Sequence, residues 1–222
     1  MKIRGIILAG SVAVAISGAA FAGSSYEVHR GVYHYAQQQN NWCGPTVVEM
    51  WTDSMRGQHG SSWSSQREIA ARYGIENAGN GTSGNKMEYM LEHESGRSFQ
   101  QSAKTKKGYL KKMVKEIGKY GRPVATAVKA VYTDGRPSVN GGHWWLIDGY
   151  KAKKRKGRKR WQDAAKSNYL KGFKVNDPAY YSPALPYIAS VPERKVLSES
   201  SFFRKYASKT KWRGTRYLVI DD

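Results

Sequence analysis

Apolar residues recur at helical spacing in the first half of the chain and in strand-like runs in the second. Val47, Trp51 and Met55 stand four apart behind Cys43, which predicts a helix with one face to bury and a stop at Gly57. Ser65-Gln66-Arg67-Glu68 has the form of a capping box ahead of Ile69, Ala70 and Tyr73, and Gly74 marks the end of that helix. Asn85 is placed to cap a short helix carrying Met87, Met90 and Leu91. Leu110, Met113, Val114 and Ile117 then lie at i, i+3, i+4 and i+7, with lysines opposite them and a stop at Gly121-Arg122-Pro123.

Past Pro123 the period changes. Val124 to Val131 reads as a strand, Thr133 to Gly142 is rich in turn formers, and His143 to Tyr150 reads as a second strand, apolar enough to be mostly buried. Lys151 to Arg160 holds eight basic residues in ten and predicts a solvated, flexible insert reaching to about residue 168. Tyr169 to Val175 gives a third strand and Thr215 to Ile220 a last one, while Tyr26 to Tyr35 fits an extended lead-in. Helices first and strands afterwards predict an α+β fold rather than a wound parallel sheet. No repeat or clean domain boundary interrupts the order.

The first twenty-two residues change this picture. Lys2 and Arg4 precede an apolar run that ends in Ala20-Phe21-Ala22, the pattern of a secretory signal peptide cut after Ala22. Gly10, Ser11, Ser17 and Gly18 interrupt the run, which falls short of the ~20 apolar residues a membrane span needs. Residues 23–222 are then long enough for one domain with its own core, exported from a bacterial cell to the periplasm or beyond. Only Lys2 and Arg4 of the 37 basic residues leave with the leader, so the exported part keeps a large excess over its 17 acidic residues. Such a field attracts polyanions, for which an anionic envelope polymer is the natural partner of an exported protein. The basic run lacks interleaved aromatics, and no nucleic-acid-binding motif accompanies it.

Export also favours paired cysteines, yet Cys43 is the only one, so no intramolecular disulfide can form. A leftover thiol is buried and inert, paired with another chain, or reactive. Its surroundings, QQQNNWCGPTVVEMW, favour reactivity: the positive end of a helix stabilises a thiolate, and Pro45 suits a first turn where no N–H is needed. Gly44 lets the backbone approach a substrate closely.

Thiol hydrolysis needs a nucleophile, a base, a group to orient the base and donors for the oxyanion. Cys43 supplies the first. His143, at a strand start behind two glycines, has room to reach a thiol across a cleft. Asp177, before a proline at the end of the next strand, is placed to hold the imidazole tautomer, and the adjacent Asn176 is the alternative. Gln37, six residues before Cys43, can set its amide beside the Cys43 N–H, with Gln38 and Gln39 as alternatives in another register. Trp42, Trp144 and Trp145 are candidates for cleft or core, and His29, His34, His59 and His93 stand outside any motif and are expected at the surface. Neither a second cysteine nor an HExxH helix supports metal binding, and this chemistry needs no cofactor.

Four separated blocks carry a family resemblance: Gln37 with Asn41-Trp42-Cys43-Gly44-Pro45, Gly121-Arg122-Pro123-Val124, Gly142-His143-Trp144-Trp145 with Asp148-Gly149-Tyr150, and Val175-Asn176-Asp177-Pro178. In order and spacing the chain resembles the papain-like cysteine peptidases, and within them the C39-like group, over roughly residues 33 to 180. The resemblance implies a nucleophile helix packed on a C-terminal antiparallel sheet, protein or peptide substrates, and the roles of oxyanion glutamine, nucleophile, histidine and aspartate for Gln37, Cys43, His143 and Asp177. Secreted papain-like peptidases with a similar Asn-Trp-Cys run use an asparagine as third member, which keeps Asn176 open. Two departures stand out. The best-known C39 peptidases are attached to an exporter and cut leader peptides after paired glycines, whereas this chain reads as free-standing. About fourteen residues between the cleavage site and Gln37 are also too few for a long inhibitory propeptide.

Overall fold

The helical and strand-like segments fold into helices on both faces of one antiparallel sheet in the computed structural model. It describes residues 25–57, 64–75, 81–101, 105–131, 133, 137–155, 157, 159–166, 168–186, 188, 190–192, 195–207 and 218–221. The leader lies outside them.

Strand β1 (Ser25–His29) leads to α1 (Cys43–Arg56), α2 (Gln66–Arg72) and α3 (Gly84–Ser95). A short β2 (Phe99–Gln101) and α4 (Lys106–Lys115), which runs on as a π-helical turn over Glu116–Tyr120, complete the first half. The second half holds β3 (Val124–Val131), β4 (Pro137–Lys153), α5 (Trp161–Ala164), β5 (Leu170–Asn176), β6 (Lys195–Ser198), α6 (Glu199–Ser201) with a π-helical turn over Phe202–Ala207, and β7 (Leu218–Asp221). The sheet order is β2-β7-β3-β4-β5-β6, and β1 pairs with the later part of β4. Every pairing is antiparallel.

Alternation along β4 builds the two layers, because successive side chains leave a strand on opposite faces. Trp144 and Leu146 join Val47, Met50 and Trp51 of α1, whereas Trp145 and Ile147 join Leu110, Met113 and Val114 of α4. Helix α1 is more deeply placed than one apolar face predicts. Ten of its residues are buried, since α2 and α3 cover it on one side and β4 supports it on the other. The Trp51 indole donates to Pro123 O at 3.0 Å, which pins the helix to the start of β3. At its end Gly57 adopts φ 68°, a left-handed conformation that a Cβ disfavours, and returns its N–H to Asp53 O.

Several boundaries differ from the sequence reading for identifiable reasons. The cap of α3 is Ser83, whose hydroxyl accepts from Lys86 N, so Asn85 lies inside the helix. The turn-rich segment before His143 is in part strand: β4 starts at Pro137 opposite Val131, a first-residue position where a proline costs no ladder bond. The basic run starts as ordered sheet, with Lys151 to Lys153 paired to β1. Lys151 and Lys174 both bind Glu27 at 3.1 Å, and Arg155 binds Asp163 at 3.1 Å. These contacts anchor part of a segment expected to be a flexible insert. Residues 215–217 of the expected last strand lie outside the described residues.

Gly172 of β5 is required by β6: a Cβ there would stand 2.1 Å from Leu197 O. Gly172→Ala is expected to destabilise the fold by about 1–3 kcal/mol, because overpacking against backbone cannot be relieved by a rotamer. The check is the denaturant midpoint, with the slope unchanged.

Candidate active site

Cys43 is the first residue of α1 and is 7% exposed. The chain enters through a turn in which Trp42 N donates to Gln39 O at 3.2 Å, and Thr46 N and Oγ1 then both reach Trp42 O. Pro45 occupies the first turn, where amides lack intrahelical acceptors, so its missing N–H costs nothing. Gly44 has a different neighbour from the expected substrate. A Cβ at Gly44 would fall 2.0 Å from Thr82 Oγ1, so the absence of a side chain lets Thr82 pack beside the start of α1. Thr82 is held there by Trp144, whose indole donates to Thr82 O at 2.7 Å.

His143 lies opposite Val128 in the β3–β4 ladder and is buried. Its Nε2 meets Asp177 Oδ1 at 2.7 Å, and the same imidazole hydrogen-bonds the Cys43 side chain, which leaves Nδ1 for the sulfur. Asp177 follows the last residue of β5 and is 1% exposed. Beyond the imidazole it accepts from Ala179 N at 2.9 Å and, through Oδ2, from Val191 N at 2.8 Å. A carboxylate this buried is tolerable only because its oxygens are bonded and a cation can face it. Burial alone would push the His143 pKa down. The charge and hydrogen bond of Asp177, helped by Cys43, win over that and raise it to about 10.

Gln37 is fully buried, whereas Gln38 and Gln39 are exposed, which selects one register for the three glutamines. Its backbone is gripped by the segment that follows Asp177: Gln37 N donates to Pro178 O at 2.9 Å, and Ser182 Oγ donates to Gln37 O at 2.6 Å. Between these contacts Tyr181 takes φ 62°, a left-handed conformation costing about 1–2 kcal/mol for a bulky residue, and it reverses the chain so that Ser182 can reach Gln37. The Gln37 Nε2 donates to Gln39 O at 2.6 Å, the same carbonyl that starts the turn into α1.

Asn176 is buried at the end of β5 opposite Leu146, and its amide has no hydrogen-bond partner among the described residues. The acid that meets the imidazole is its neighbour. Trp42 and Trp145 are buried among apolar side chains, with Trp145 packed 4.6 Å from the Tyr206 ring. His34, expected at the surface, is half-buried against Tyr180, and its Nε2 lies 3.3 Å from Tyr180 O. Residues with no signal in the sequence include Thr82, Ser182 and Gln66, and the backbone amides of Ala179 and Val191. Gln66 was visible only as part of a capping box. Among the described residues, no group of three His, Cys, Asp or Glu side chains forms a metal-ligand set, and no helix is long and apolar enough to cross a membrane.

An α+β fold with a thiol at a helix start, facing an imidazole backed by a carboxylate, is the arrangement of a cysteine-type hydrolase. The family model described as Peptidase_C39 like family matches residues 29–206, and the chain belongs to that family. No curated protein matches it. The family supports a peptidase that takes peptide substrates, as the resemblance in the four blocks implied.

Because Asp177 holds the proton on His143, its effect has a definite sign. The imidazolium form, and the stability it brings, is present in full below the ordinary histidine value and is lost as pH rises through about 10. Asp177→Asn is expected to move that titration down by roughly 1–3 pH units. The imidazole NMR shifts of His143 against pH provide the measurement, and an unchanged titration would contradict this account.

Proposed function

We propose that this chain is an exported cysteine peptidase that hydrolyses peptide bonds through a thioester on Cys43. The observation that carries the reading is the continuous hydrogen-bonded path from the Cys43 side chain through His143 to Asp177. The Cys43 sulfur, as thiolate, attacks the scissile carbonyl carbon. The resulting oxyanion is met by the Cys43 backbone N–H and by the Gln37 amide, since one hydrogen of Nε2 is used on Gln39 O and an amide nitrogen carries two. His143 gives its Nδ1 proton to the amine as the C–N bond breaks, leaving the acyl group on sulfur. Water then attacks the thioester, His143 takes its proton, and the carboxylic acid and the thiol are released. Asp177 keeps the ring oriented and stabilises its charge throughout.

The same acyl-enzyme serves an amidase or an acyl transferase acting on cell-wall peptides, which differ in the amine released or the acceptor used. A catalytically inactive cationic module is disfavoured by a site whose hydrogen bonds are intact. Exposed Lys107, Lys111 and Lys119 add to the positive surface that would hold the protein near anionic envelope polymers. Residues 23–222 act as one domain after removal of the leader.

Two outcomes are expected. Labelled casein should be cleaved by the wild type and not by Cys43→Ala, with activity falling at least about 10³-fold. Release of amines from murein peptides but not from casein would identify the amidase instead, and no Cys43-dependent product from either would remove the hydrolase reading. N-terminal sequencing of the exported protein should begin at Gly23, and an N-terminus still at Met1 would remove the export reading.

A further inference from the structure

Gln66 is the first residue of α2, beyond its Ser65 cap, and is 3% exposed. Its Oε1 accepts from Gln38 N at 2.8 Å and lies 3.0 Å from Thr46 Oγ1, whose one hydrogen it shares with Trp42 O. Its Nε2 donates to Ala36 O at 3.2 Å, and its side chain also hydrogen-bonds Glu49 of α1. An amide offers two acceptor sites and two donor hydrogens. Gln38 N meets the oxygen while Ala36 O faces the nitrogen, so the amide cannot flip without losing both contacts.

These contacts share a target. Ala36 O and Gln38 N belong to the residues on either side of Gln37, and Thr46 and Glu49 lie on the helix that starts at Cys43. One side chain thus spans the strand-like segment that carries the oxyanion amide and the helix that carries the nucleophile. On the other side, Gln37 is held by Pro178 O and Ser182 Oγ, from the loop behind Asp177. An oxyanion donor is useful only when it is aimed within a few tenths of an ångström at the place where charge develops. Two of the contacts that aim Gln37 are therefore supplied by α2, from a residue that touches neither sulfur nor imidazole.

We propose that Gln66 is a positioning residue for the oxyanion-binding amide, clamping the backbone on both sides of Gln37 to the nucleophile helix. The inference rests on the peptidase reading above and adds a residue to it. Gln66 acts on turnover by way of Gln37, and it leaves the thiol–imidazole pair alone.

That separation gives the test. Alkylation of Cys43 by iodoacetamide uses the thiolate and forms no oxyanion, whereas hydrolysis of the p-nitrophenyl ester of an N-acylated glycine uses both. Gln66→Met, close in volume and without the hydrogen bonds, is expected to lower kcat for the ester roughly 10- to 100-fold, part of the roughly 10²- to 10³-fold expected of Gln37→Ala. KM and the alkylation rate should stay within about twofold of wild type. In the Gln37→Ala background Gln66→Met should cost nothing further, the signature of two residues acting through one step. Gln66→Asn, whose shorter amide keeps its polarity, should give a smaller loss with the same non-additivity, and it serves if the methionine variant does not fold. An equal loss in both backgrounds, alkylation falling in step with kcat, or no loss from either variant would overturn the proposal. A Cys43→Ala enzyme that still hydrolyses the ester would instead overturn the peptidase reading, so the two failures are told apart.

Discussion

A buried imidazole can hold a proton only if something nearby compensates for the water it has lost, and here that compensation is a single carboxylate. Asp177 is itself almost fully buried, and the amides of Ala179 and Val191 bond its oxygens in place of water. The sequence of dependence runs from two backbone N–H groups to a carboxylate, from the carboxylate to an imidazole, and from the imidazole to the sulfur. The middle step is the one that decides a charge, since Asp177 favours the protonated imidazole.

The fold keeps these groups in register by burying the helix that starts at Cys43 instead of laying it on the surface. With α2 and α3 above it, β4 beneath it and the Trp51 indole bonded to Pro123 O, α1 has little freedom to slide along the sheet. Its position relative to β4 fixes Cys43 against His143. Alternation along β4 does the rest, since its residues feed the α1 layer and the α4 layer in turn. The site therefore sits where the most constrained helix begins, beside the long central strand.

Residue type and local spacing made much of this legible. The periodicity of Leu110 to Ile117 and the capping box at Ser65 correspond to helices, and Val124 to Val131 forms the expected strand. Gln37, Cys43, His143 and Asp177 stood out because few side chains have the required chemistry and each lay in a distinctive block. What was not legible depends on contacts distant in sequence or on backbone atoms without a side-chain signature. Ser182 meets Gln37 across 145 positions, and Val191 contributes only its N–H. Strands β2 and β6 have three and four residues, too few to show a period. The start of β4 was hidden by proline and glycines, which mark turns in most contexts but occupy strand positions when a neighbour such as β3 supplies the ladder.

The bond from Gln37 N to Pro178 O joins the segment before Cys43 to the residue directly after Asp177. Solvent cannot take that amide hydrogen until the two segments part. Deuterium uptake at this one position therefore reports how often these two segments part, without any substrate being present.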